Sequence, residues 1–196
     1  MTLRVLGVDP GLTRCGFGVL DAGTGRSARL VDVGVISTGS DGAIDERLLV
    51  ISRGLQELIE QHAPDVVAVE RVFSQNNTPT VMGTAQVSGI AILHAAERGI
   101  RIAMHTPSEV KAAVTGNGRA DKKQIQSVLV RILGLSAPPR PADAADAVAI
   151  ALTQIWRGPG PVRLDARGAA RTSAQTVWAE AERSARRARD TSTSRS

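Results

Sequence analysis

Four carboxylates stand where this sequence is otherwise apolar. Asp9 closes the run Arg4 to Val8, and Glu70 closes Asp65-Val66-Val67-Ala68-Val69. Asp143 and Asp146 lie three apart within Pro141-Ala142-Asp143-Ala144-Ala145-Asp146-Ala147-Val148-Ala149-Ile150-Ala151-Leu152. An ionised carboxylate in an apolar setting is costly unless a cation compensates it. Residues three apart share one face of a helix, and the ends of strands can meet across a sheet, so the four acids together could hold one or two divalent cations. With oxygen donors only, ligand hardness points to Mg2+, with Mn2+ as a substitute, rather than to zinc or copper. Two such ions can activate a water and stabilise a leaving oxygen in phosphodiester hydrolysis, which is the chemistry of a nuclease. Each acid also has an ordinary structural reading. Asp9 before Pro10-Gly11 can start a turn, Glu70 can cap a strand or pair with Arg71, and Asp143 suits the first turn of a helix for its dipole. Asp146 lies deeper among alanines and aliphatics, and the conjunction of all four favours a site.

The elements that would carry these acids follow from periodicity and turn signals. Arg4 to Val8 reads as a buried strand ended by Pro10-Gly11. Cys15 to Leu20 and Leu30 to Ser37 read as two more strands joined through Asp21 to Gly25, completing a meander. Ile44, Leu48, Ile51, Leu55, Leu58 and Ile59 recur at helical spacing, and that helix ends before Pro64. A strand at 65–70, a long Ala/Gly/Val-rich helix at 80–98 and a fifth strand at 100–105 come next. A short helix is expected at 107–114, one at 121–133 with Asp121 as N-cap, and a last one from Pro141 to about Trp156. This order predicts an α/β fold with a five-stranded sheet of mixed direction and helices on both faces.

The 196 residues fit one domain, expected at 1–157, plus a basic C-terminal tail at 158–196 that follows Gly158-Pro159-Gly160-Pro161 and is read as mobile. With 42% hydrophobic and only 2% aromatic residues the core must be aliphatic. The net charge of +5 does not make the domain basic, because residues 1–156 carry 15 basic and 15 acidic side chains, whereas 157–196 carry nine and four. A polyanion site in the domain must therefore be local. Lysine is confined to Lys111, Lys122 and Lys123, all between the fifth strand and the acid-bearing helix. Their default is a solvated helix face, but with Arg119 they could also form such a patch, helped by Arg14 and Arg71. One cysteine, Cys15, and three isolated histidines exclude a disulfide framework and zinc spacing. Together with the lack of a leader-like start or a long apolar run, this sets the expectation of a cytoplasmic protein without membrane association.

Gly7-Val8-Asp9-Pro10-Gly11, Val69-Glu70-Arg71-Val72-Phe73, the Gly116 to Gln126 segment and Ala142-Asp143-Ala144-Ala145-Asp146-Ala147 closely resemble the RuvC family of bacterial Holliday-junction resolvases, in order and spacing, over residues 3–156. The resemblance implies a ribonuclease-H-like fold, a homodimer binding four-way junction DNA, and a symmetric Mg2+-dependent nick from each subunit in recombination and repair. It implies that Asp9, Glu70, Asp143 and Asp146 are the catalytic, metal-binding acids, with one or two ions per subunit. Phe73, one of two phenylalanines, is read on its own as a plug beneath a Gln/Asn loop; by resemblance it is a wedge that stacks on an unpaired base. Lys111 and Lys122 match basic positions near the active site, where they would meet phosphate or developing charge, and Lys123 and Arg119 are read as backbone contacts. A branch-migration complex of RuvA and RuvB is implied as partner.

Three other readings compete. The first strand also fits the phosphate-binding Asp-x-Gly element of actin-like kinases, but only one lobe is present and no second such strand pair follows. Gly116-Asn117-Gly118-Arg119 does not complete a P-loop. A ribonuclease H would use similar acids, and a noncatalytic junction-binding scaffold would be expected to lose one or more of the four.

Overall fold

The computed structural model describes residues 2–71 and 79–158. The tail from Pro159 onward, and with it the expectation of mobility there, lies outside the described residues. Three strands open the chain, β1 (Arg4–Asp9), β2 (Arg14–Ala22) and β3 (Ala28–Ser37), followed by α1 (Ile44–His62), β4 (Val66–Glu70), α2 (Pro79–Glu97) and β5 (Arg101–His105). Helices α3 (Pro107–Thr115), α4 (Lys122–Leu133) and α5 (Ala142–Arg157) complete the domain. The sheet order is β3-β2-β1-β4-β5. The meander β1-β2-β3 is antiparallel and β1-β4-β5 is parallel, so the sheet is mixed as expected.

The two faces follow from the period of two along each strand. Leu6, Val8, Val67 and Val69 pack with Ile51, Leu55, Val87 and Ala91 from α1 and α2. Their neighbours Val5, Val66 and Ala68 join Val110, Ile125, Leu129 and Val148 beneath α3, α4 and α5 on the opposite face. Helix α1 stops where Ala63 adopts a left-handed conformation (φ 43°), its N–H bonding back to the Ile59 carbonyl just before Pro64. Capping boxes start α3 and α4, built by Thr106 with Glu109 and by Asp121 with Gln124. Pro141 occupies the N-cap position of α5 rather than its first turn. No side chain caps that end.

Helix α5 is buried on nearly every side, from Ala144 to Gln154 apart from Asp146. Glycines let it lie against the sheet. A Cβ on Gly7 would collide with the Ala147 carbonyl, one on Gly16 with the Asp143 carbonyl, and one on Gly18 would fall 2.7 Å from Val148 Cγ2. Gly7 pairs with Gly18 across β1 and β2 in a rung free of side chains, and Gly16 stands opposite Asp9, so the three glycines form the seat of the helix.

Candidate active site

Asp9 is the last residue of β1 and shares its face with Val5 and Gly7, the side covered by α5. Glu70 ends β4 on the same face, in line with Val66 and Ala68. The parallel ladder runs to Val8 opposite Val69, which leaves Asp9 and Glu70 as the next residues on adjacent strands. Seating α5 on Gly16, the rung opposite Asp9, brings the first turn of that helix and Asp143 to the same place, with Asp146 one turn further along. Four acids separated by up to 137 positions in the chain thus share one corner of the fold.

Their electrostatics show the crowding. Burial, reinforced by the charges of Glu70, Asp146 and Asp143, pushes the Asp9 carboxyl up to about 7 despite Lys122 nearby. Glu70 is raised by burial and by Asp146, and lowered in part by Lys122 and Lys111. Among the described residues no ion pair joins Arg71 to Glu70, and the Arg71 backbone N–H donates to the His105 carbonyl at 2.7 Å. Lys122 Nζ donates to Asp146 Oδ2 at 2.8 Å, and this bond holds its ammonium above the usual lysine range. Arg14 Nε lies 2.9 Å from Asp143 Oδ2, yet that buried oxygen accepts no hydrogen bond.

A cleft of about 280 Å³ opens beside the acids, with Glu70, Asp146, Lys111 and Lys122 at its polar rim and Val110 and Ile150 among its apolar walls. Lys123 follows Lys122 on α4 but faces elsewhere, into a groove of about 530 Å³ shared with Asn117, Gln124 and Arg131. Arg119 is exposed on the turn before α4, its N–H donating to Asn117 Oδ1 at 3.0 Å. Phe73 lies outside the described residues. The structure therefore gathers Asp9, Glu70, Asp143, Asp146, Lys111 and Lys122, and sets Lys123 apart.

Arg14, considered in the sequence only as a general aid to DNA binding, turns out to be the partner of Asp143. Gly16 was not singled out at all, because a close approach between segments about 130 residues apart leaves no local signal. In the arrangement present, no group of three or more His, Cys, Asp or Glu among the described residues stands close enough to hold an ion. Two of the acids are instead engaged by Arg14 and Lys122. The donor set nevertheless fits a hard divalent cation: all ligands are oxygens, two of the carboxyls are raised by burial and by like charges, and the buried Asp143 Oδ2 accepts no hydrogen bond.

Comparison with known proteins agrees with this geometry. Residues 5–154 match the family model for crossover junction endodeoxyribonuclease RuvC. The protein of that name from Paenarthrobacter aurescens is 57% identical over 189 residues, covering 96% of this chain and all of the relative. The one from Nocardioides is 58% identical over 164 residues, covering 84% and 93%. Thermus thermophilus RuvC, solved in complex with a Holliday junction substrate, superposes with a TM-score of 0.75 at 33% identity over 79% of this chain and 94% of that one. A yeast mitochondrial Holliday junction resolvase shares the fold at 14% identity and a TM-score of 0.58. The mixed five-stranded sheet with its acids at strand ends is the ribonuclease-H-like fold, and the chain belongs to the RuvC family of crossover junction endodeoxyribonucleases.

Proposed function

We propose that this chain is a structure-selective endodeoxyribonuclease that resolves four-way DNA junctions by paired symmetric nicks, in recombination and repair. The observation that carries this reading is the convergence of Asp9, Glu70, Asp143 and Asp146 beside a cleft rimmed by Lys111 and Lys122. Asp9, Glu70, Asp143 and Asp146 would hold Mg2+, as one or two ions per subunit, with Mn2+ as a substitute. Bound there, a divalent cation lowers the pKa of a water and neutralises charge that develops on the scissile phosphate. The protein's own groups do the positioning. Lys111 and Lys122, on two helices flanking the cleft, hold the phosphodiester by charge. Arg119 and Lys123 meet more distant backbone phosphates, which orient the duplex arms without reading sequence. Phe73, by family resemblance, stacks on a base freed at the branch point.

Two nicks related by two-fold symmetry call for two sites, which a homodimer supplies. Helix α2 supports that assembly. It carries no Asp, Glu, Lys or Arg before Glu97, and its large side chains Met82 and Leu93 are 59% and 55% exposed. In the RuvC setting the partners are junction DNA and a branch-migration complex of RuvA and RuvB. The compartment is the cytoplasm, in keeping with a lone buried thiol and with the finding that no helix among the described residues is long and apolar enough to cross a membrane. The reading also keeps the division into a nuclease domain at 1–157 and a basic tail at 158–196 that adds nonspecific DNA affinity.

The test is nicking of a four-way junction with an immobile core, set against a matched linear duplex and an RNA–DNA hybrid, in Mg2+ or EDTA, for the wild type and Asp146→Asn. Symmetric nicks on the junction alone, abolished by EDTA and by the substitution while junction binding persists, are expected. Cleavage of the hybrid would reassign the substrate to the ribonuclease H class, and tight junction binding without cleavage in either protein would identify a scaffold.

A further inference from the structure

The two cations that stand on the acids are held in different ways. Lys122 makes a directed hydrogen bond to Asp146. Arg14 offsets Asp143 by proximity alone, since Asp143 Oδ2 lies 2.9 Å from its Nε and still accepts no hydrogen bond. The root of Arg14 is firmly set. It opens β2 opposite Ser37, the preceding Thr13 carbonyl accepts from Thr38 N–H at 3.0 Å, and Thr13 Oγ1 accepts from Arg47 at 2.8 Å. Arg47 also donates to Thr38 Oγ1, whose hydroxyl in turn donates to the Leu12 carbonyl. The head is free by comparison, with the Arg14 side chain 60% exposed. A fixed backbone, a flexible stem and a loosely engaged guanidinium make an arm that can turn while the loop carrying it stays still.

We infer that Arg14 is an exchangeable counter-ion of Asp143: it competes with the divalent cation for that carboxylate and, once displaced, holds a phosphate of the bound DNA. The inference rests on the reading that the four acids bind the ion. Like charges repel across the few ångströms that separate a carboxylate's partners, so Arg14 and the ion cannot both sit fully on Asp143. A displaced guanidinium at the rim of a nuclease site has a natural acceptor, because its planar fork matches phosphate oxygens. Charge in the site is thereby handed over: Asp143 is neutralised without metal, and when metal arrives the released cation is directed at the substrate. Arg14 touches substrate in this scheme, and two opposite effects of removing it distinguish the scheme from a merely structural role.

The experiment uses the full chain without DNA and titrates Mn2+ calorimetrically into the wild type, Arg14→Ala, Arg14→Lys and, as a charge control, Arg53→Ala, an exposed position on α1. Junction binding is then measured for each in Ca2+ over a range of salt, and thermal unfolding confirms that all are folded. Arg14→Ala should bind Mn2+ about threefold more tightly, the scale of a partly screened ion pair. It should bind the junction about threefold to tenfold more weakly, with a salt slope smaller by roughly one. Arg14→Lys should stay near the wild type in Mn2+ affinity, and Arg53→Ala should change neither. Unchanged or weaker Mn2+ binding by Arg14→Ala overturns the competition, and unchanged junction binding overturns the phosphate contact, while the metal reading stands in both cases. If the wild type binds no Mn2+, the metal reading itself fails and takes this inference with it.

Discussion

Asp9 carries the largest electrostatic burden among the acids: it is pressed between β1 and the start of α5, and burial and three neighbouring carboxylates raise it to about 7. A group arranged this way works against the metal-free fold at neutral pH, a common cost of functional sites. Asp9→Asn should therefore raise the thermal midpoint of the DNA-free protein in EDTA at pH 8 while abolishing junction nicking, checked by calorimetry and a nicking assay on the same preparation. Glu109 has the opposite character. The Thr106 backbone N–H, followed by the Arg157 guanidinium, draws its carboxyl down to about 2. Its folded value lies below its unfolded one, so its contribution is present above about pH 4.5 and lost as pH falls toward 2. In chemical denaturation the wild type should lose stability through that window. Glu109→Gln, which keeps the capping geometry and not the charge, should lose less.

Helix α5 delivers two acids to the site because Gly7, Gly16 and Gly18 on the strands beneath it leave room at the crossing. Gly16 is exacting in the way Gly7 is, since an added methyl would meet helix backbone rather than a movable side-chain tip, and at Gly16 that backbone is the one carrying Asp143. Gly16→Ala should destabilise the protein by about 1–3 kcal/mol, as overpacking does. It should also reduce nicking by about tenfold or more, through displacement of Asp143. Urea denaturation and single-turnover cleavage measure the two effects, and a stability loss without a rate loss would show that the helix start can shift without cost to the chemistry. The loop between β1 and β2 has its own support, because Arg47 ties Thr13 and Thr38 together and leads the chain from Asp9 into Arg14 and Gly16.

Across the whole molecule the domain is electrically balanced, so its affinity for DNA must come from where the charge lies rather than from how much there is. Lys111 and Lys122 face the acid cleft and Lys123 faces a neighbouring groove, which extends the basic surface around α4. The opposite layer of the molecule presents the uncharged flank of α2. Leu93→Asp places a charge on that flank without touching the acids. In light scattering the variant should run as a monomer and the wild type as the proposed dimer, and the variant should lose the coupling between the two nicks on a supercoiled cruciform before it loses the first nick. A variant that remains dimeric would place the subunit contact elsewhere.

Strands, helices and their ends were legible in the chain because each rests on short-range physics. The apolar runs within Arg4–Asp9 and Val66–Glu70, the 3.6-residue period of α1 and the Asp121 cap need no distant partner to be recognised. The four acids were legible for the same reason, as charges at the ends of apolar segments where solvation alone does not explain them. Tertiary structure decided which groups meet. Lys122 and Lys123 are adjacent in sequence but about 100° apart around α4, so one bonds Asp146 and the other lines a separate groove. The pairing of Arg14 with Asp143, and the seat that Gly7, Gly16 and Gly18 make for α5, join residues from opposite ends of the domain. Contacts of that kind are set by how the layers pack, a property that no local pattern in the sequence carries.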